Sequence, residues 1–258
     1  MNTTALKNPI YLALVQAKFQ LTEAIRIPIS IIMGLFAPSI GLLFFVIPQR
    51  AVAEDPELST AAVTGLAVFG MMVNSLFQFA IEVSQARERP WGAYTRSLPS
   101  GPGTRLLSYL LSSGVLSAVS VIPLVILAAL TTEATLTSPR LLAGIAALLI
   151  TAVPFMLIGI AIGYLMSSKA AVAAAQVLML ALAFGGGLFI PPRAFPDWLA
   201  NVSFAMPTRS ALEISSWVAG IGTEHVAPAL VGFLAWSVGL TIICLILATR
   251  DGDREYGS

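Results

Sequence analysis

Residues 58–99 read Leu58-Ser-Thr-Ala-Ala-Val-Thr-Gly-Leu-Ala-Val-Phe-Gly-Met-Met-Val-Asn-Ser-Leu-Phe-Gln-Phe-Ala-Ile81, followed by Glu82-Val-Ser-Gln-Ala-Arg-Glu-Arg-Pro-Trp-Gly-Ala-Tyr-Thr-Arg-Ser-Leu-Pro99. The first part holds no Asp, Glu, Lys or Arg and exceeds the roughly 20 residues that a helix needs to cross hydrocarbon. The second part is the longest charged interruption in the chain. A lipid-crossing helix that empties into a charged, aromatic stretch makes this an integral membrane protein. Five more uncharged windows have comparable length: 27–49, 106–130, 141–166, 170–190 and 225–249. The expected fold is all-α, one domain over residues 1–258, with six transmembrane helices.

Composition agrees. The chain is 57% hydrophobic and only 10% charged, against about 25% charged residues in soluble domains. A net charge of +1 gives no ground for a nucleic-acid partner. Cys244 and His225 are each the only residue of their kind, so an internal disulfide, a CxxC site and a histidine-rich metal site are excluded.

Basic residues set the orientation. With the N-terminus inside, Lys7, Lys18, Arg26, Arg87, Arg89, Arg96, Arg105, Lys169, Arg250 and Arg254 are cytoplasmic, and Arg50, Arg140, Arg193 and Arg209 lie outside. Ten against four favours this orientation, with both termini cytoplasmic. Asn8-Pro9 caps an amphipathic helix over 9–23, with Leu12, Val15 and Phe19 on one face and Gln16, Gln20 and Glu23 on another. It is too polar to span and is expected to lie along the membrane surface. Lys18, Glu23 and Arg26 interrupt the first apolar segment, so the first span is expected to serve as an uncleaved insertion signal.

Within the charged interruption, Pro90 suits a first helical position. Trp91, Tyr94 and Leu98 then recur at helical spacing beside Glu88, Arg89, Gly92 and Arg96. A short cytoplasmic helix with exposed aromatics over residues 88–99 is expected to be a docking surface for another protein. The alternative is a solvated loop with its aromatics in the headgroups.

Before the last window, Gly185-Gly186-Gly187 and Pro191-Pro192 end a regular helix, and Pro196-Asp197-Trp198-Leu199 starts a short one that Pro207 breaks in turn. Residues 191–219 are expected to form a re-entrant helical hairpin on the outer side, its free backbone groups covered by protein. At membrane depth, Asn74 and Gln78 share a helix face with Phe77 beside them, and Gln176 and Phe184 lie on the fifth span. Such amides either bond between helices or line a substrate path with the aromatics. No acid or base lies deep in a span, which argues against proton coupling. The nucleotide-binding run G-x-x-x-x-G-K followed by Ser or Thr is absent, as are H-E-x-x-H and G-x-S-x-G. The chain is not expected to be an enzyme.

This pattern resembles the membrane subunit of the type-2 ABC exporter family, the short bacterial six-span permeases for drugs, polysaccharides and lipids. The motifs are Glu88-Arg89-Pro90-Trp91-Gly92 through Leu98-Pro99, and the run Pro192, Ala194-Phe195, Pro196-Asp197-Trp198-Leu199 and Pro207. Where the common family form has Gly-Thr and an acidic residue, this chain has Gly92-Ala93 and Tyr94. The resemblance implies a multi-pass protein of the bacterial plasma membrane. Two permease copies, or this chain and a paralogue, would pair with separately encoded ATP-binding subunits that hold ATP and Mg, no cofactor belonging to this chain. Residues 88–99 would be the coupling helix seated on the ATPase. A hydrophobic or amphipathic substrate, a drug or antibiotic first and a lipid or lipid-linked glycan second, would leave past the re-entrant helices. A membrane-embedded substrate-binding subunit of an importer is the alternative from a different class.

Overall fold

The computed structural model describes residues 9–26, 36–88, 102–135, 137–222 and 225–256, and the described residues form helices and turns only. In order these are α1 (Pro9–Arg26), α2 (Phe36–Val46, its last turn wound as a π-helix over Leu42–Val46), α3 (Arg50–Ala53), α4 (Pro56–Glu88) and α5 (Pro102–Thr131). They continue as α6 (Ser138–Thr151), α7 (Val153–Leu165), α8 (Ser168–Gly185), a 3-10 turn (Pro192–Ala194), α9 (Asp197–Phe204), α10 (Pro207–Ala219) and α11 (Val226–Tyr256).

Four helical stretches are long and apolar enough to cross a membrane: Pro56–Glu88, Ser138–Leu165, Ser168–Gly185 and Val226–Arg250. They fall on the windows 58–81, 141–166, 170–190 and 225–249. The windows 27–49 and 106–130 contain the shorter apolar helices Phe36–Val46 and Ala118–Thr131.

The middle of the bundle is α4, which packs against α5, α7, α8 and α10. Leu76, Phe79 and Ala80 are fully buried on it, and Phe155 opposite them on α7 is too. The α4–α7 seam is close because α7 offers Gly159 and Gly163 to it. A Cβ on Gly159 would stand 2.6 Å from the Leu76 carbonyl oxygen, and one on Gly163 2.6 Å from Val83 Cβ. That is the small-xxx-small geometry by which apolar helices gain dispersion contact where no hydrophobic drive separates protein from lipid.

Two windows depart from straight helices. The fourth is broken at Ala152 into α6 and α7, because Pro154 has no N–H for the carbonyl one turn back. The fifth stops at Gly185, short of 190. Gly187 has φ +86°, and a Cβ on Gly186 would fall on the Thr208 hydroxyl, so the chain turns there and Leu188 enters the core.

The first helix packs along α5. Ala13 and Ala17 are buried, and Ile10, Leu14 and Phe19 are exposed. Gln20, read from sequence as part of a polar face, instead donates to Ser108 Oγ (3.4 Å) and accepts from Ser112 Oγ (2.8 Å). An amide and two hydroxyls satisfy one another at that seam.

Candidate functional site

Two regions gather the functional candidates: the end of α4, which leads into the stretch 89–99 expected to dock a partner, and the broken segment between α8 and α11.

At the first, only Glu88 of the residues expected to dock is described; Arg89, Trp91, Gly92, Tyr94, Arg96 and Leu98 lie outside the described residues. Glu88 makes two hydrogen bonds to the start of α8. Its Oε1 accepts the Ser168 backbone N–H at 2.9 Å and its Oε2 accepts the Ser168 hydroxyl at 2.6 Å. Its neighbour Arg87 donates from Nη1 to the Gly163 carbonyl, 3.1 Å away in the last turn of α7. A helix start carries unpaired N–H groups and partial positive charge, and a helix end unpaired carbonyls and partial negative charge. Consecutive residues of α4 thus place an acid on the start of α8 and a base on the end of α7. Only Met166 and Ser167 separate those two helices. Glu88 lies beyond the apolar window 58–81, and the Ser168 hydroxyl and then its N–H hold the carboxyl below its ordinary value of 4.5.

In the second region, α9 starts after Pro196 with Asp197 in its first turn, and Trp198 projects outward. Pro207 begins α10, whose sides are covered by α4, α6 and α11. The Thr208 hydroxyl donates to the Leu182 carbonyl at 2.9 Å, tying the start of α10 to the end of α8. Trp236 of α11 donates to the Ala205 carbonyl at 2.8 Å. Arg209 and Glu213, both largely buried, pair at 2.6 Å one turn apart, and the Arg209 guanidinium lies 4.9 Å from the Phe204 ring centroid. The helix ends at Gly220, φ +87°, where Ile221 N–H reaches the Ser216 carbonyl. This left-handed cap is one that glycine adopts without strain. Pro192, Phe195 and Leu199 are half-buried and Pro196 is exposed.

The path candidates do not form one cluster. Asn74 turns toward α5, its Nδ2 3.5 Å from Ser120 Oγ. Gln78 donates along its own helix to Glu82 at 3.2 Å. Phe77 packs against the core, and Gln176 is exposed on α8. Phe184 joins an aromatic group not evident from sequence: Phe189 stands 5.3 Å from Phe184, 4.8 Å from Phe69 and 6.0 Å from Phe45. Four phenylalanines from α2, α4, α8 and the turn after α8 converge there. Cys244 is half-buried, and its thiol donates to the Leu157 carbonyl at 3.3 Å.

These features define a multi-pass helical membrane protein with a charged exit from its central helix and a protein-covered broken hairpin beside it. Residues 11–219, from α1 to the last turn of α10, match the family described as ABC-2 type transporter. The chain belongs to that family and is a permease subunit of an ABC transporter. It is also similar to the Bacillus subtilis (strain 168) protein YvfS, 22% identical over 194 residues that span 75% of this chain and 79% of that one. Membership implies association with an ATP-binding subunit and with the membrane.

Proposed function

We propose that this permease is the membrane half of an ATP-driven exporter. It moves a hydrophobic or amphipathic substrate outward across the bacterial plasma membrane, a drug or antibiotic before a lipid or lipid-linked glycan. The observation that carries the coupling is the pair Arg87 and Glu88. They stand immediately before the stretch 89–99 and grip the facing ends of α7 and α8. A push on that stretch reaches three helices together, because the grip and the glycine seam bind α4 to α7 and α8.

In this reading Trp91, Tyr94 and Leu98 seat the stretch on a separate ATP-binding subunit, which holds ATP and Mg and performs the hydrolysis. Two permease copies, or this chain and a paralogue, face each other. The exposed side of α8 with Gln176 and Phe184 borders the path, and the phenylalanine group closes its outer end. The absence of charge along these candidates favours apolar cargo over ions. The importer binding-subunit reading has no use for the proline-broken hairpin.

The test is reconstitution of the chain with an ATP-binding subunit encoded beside it, assayed for ATPase stimulation by a panel of hydrophobic antibiotics and for their ATP-dependent movement. A complex that accumulates substrate on the face bearing the ATPase contradicts the exporter direction. Failure of the two subunits to copurify contradicts the coupling assignment.

A further inference from the structure

We propose that a crevice between α4, α5, α6 and α10 binds a phospholipid, the first carbons of one acyl chain inside and the phosphate at Arg140. This inference rests on the chain lying in a bilayer and is independent of the transport direction.

The crevice encloses about 40 Å³, room for roughly three water-sized groups. Its floor is buried and mainly apolar, with Ala67 of α4, Leu124 of α5 and Leu148 of α6. Its mouth is half-exposed, formed by Val125 of α5 and by Leu141, Gly144 and Ile145 of α6. Flanking the mouth on the same two helices, Ile122 is 54% and Leu142 70% exposed. The opening therefore faces the apolar outer surface of the bundle, where lipid chains lie.

Two polar groups give the crevice a direction. Ser215 of α10 is only 2% exposed, and its hydroxyl has no hydrogen-bond partner among the described residues. A buried hydroxyl without a partner is costly, and an ester oxygen at the head of an acyl chain is an acceptor for it. Arg140 stands at the rim, its guanidinium against Gly220. It forms no ion pair among the described residues, yet a guanidinium offers five N–H donors in a plane suited to phosphate. Arg140 opens the apolar run 141–166, where a helix leaves the headgroup layer. An apolar slot under a free guanidinium matches a phosphodiester with an attached chain. Inorganic phosphate would use only the rim.

Gly144 supplies the test, because a Cβ there would meet nothing within 4 Å. Gly144→Leu therefore fills the mouth without forcing helices apart. Gly239→Leu, on α11 where a Cβ is equally free, is the control for general lipid contact. The purified chain is stripped with detergent, offered phosphatidylglycerol, and examined by native mass spectrometry. The wild type and Gly239→Leu are expected to retain one lipid per chain. Gly144→Leu should retain about tenfold less, the share that two buried methylenes supply.

Arg140→Gln provides a second variant should Gly144→Leu fail to give a monodisperse chain, and it too should lose retention. Millimolar inorganic phosphate should not displace the lipid; displacement by phosphate alone would mean an anion site without a chain slot and overturn the proposal. Equal retention by Gly144→Leu, or by Arg140→Gln, overturns it as well. So does equal loss in Gly144→Leu and Gly239→Leu.

Discussion

Gly159→Ala probes the contact on which the bundle turns. The added Cβ stands 2.6 Å from the Leu76 carbonyl oxygen, 3.0 Å from Phe79 Cβ and 3.2 Å from Ala80 N. Non-bonded carbons rest at about 3.5–4.0 Å, so α7 must withdraw from α4 by roughly 0.5–1 Å, a gap that forfeits a quarter to a half of each contact's dispersion energy. Two of the three obstructing atoms are backbone and cannot rotate aside. Overpacking of this kind costs about 1–3 kcal/mol. Alanine in place of glycine also favours a helix by about 0.8–1.0 kcal/mol, which would mask part of the loss. Gly144→Ala shares that gain and meets no neighbour, so the difference between the two variants reads the seam alone.

The double variant Gly159→Ala with Gly163→Ala adds a sharper condition. One withdrawal of α7 relieves both contacts, so the double should cost less than the sum of the singles, with a coupling of about 0.5–3 kcal/mol. Denaturant titration of the purified chain in detergent, followed by tryptophan fluorescence, measures these differences. If Gly159→Ala is as stable as Gly144→Ala, or if the two seam variants add fully, the close approach of α4 and α7 is not what holds the bundle.

Three further outcomes are expected. Arg209→Met strands the buried Glu213 carboxylate and should destabilise the chain by about 3–5 kcal/mol, whereas Arg209→Met with Glu213→Leu should recover most of that; equal losses in the single and double variants would show that the pair is not the cause. Glu88 has a depressed carboxyl, so its grip on Ser168 is present above the unfolded value near 4.5 and is lost as pH falls through the lower folded value. Melting curves should therefore separate wild type from Glu88→Gln at neutral pH and converge in acid, and a gap that persists in acid would contradict the grip. Cysteine at Asp197 should react with an impermeant maleimide from outside the cell, and labelling only from inside would reverse the orientation.

Much of the fold is legible because lipid imposes simple demands. Uncharged runs such as 58–81 announce spans, Gly159 and Gly163 announce a close helix seam, and Gly185 to Pro192 announce a break. Partners at a distance are not announced. Asn74 and Gln78 share a face, yet one turns to Ser120 on α5 and the other pairs with Glu82 on its own helix; spacing says which side chains are neighbours and nothing about what stands opposite. Glu88 is legible as part of a docking motif, but its bonds to Ser168 join residues 80 apart. The one local clue is that Ser167-Ser168-Lys169 must open a helix after a tight turn. Phe45, Phe69, Phe184 and Phe189 converge only once the ends of their helices are placed together.

In the proposed function the stretch after α4 receives the force of ATP hydrolysis and delivers it to the spans. The most direct test of that coupling is ATP-dependent export by the reconstituted complex carrying Trp91→Ala, Arg89→Glu or Glu88→Gln. An aromatic anchor at a packed protein contact is worth upward of about 2 kcal/mol, so Trp91→Ala should weaken docking measurably. All three variants are expected to retain a folded permease and to lose export per ATP hydrolysed. Normal export by Trp91→Ala and Arg89→Glu with the partner ATPase would contradict the account.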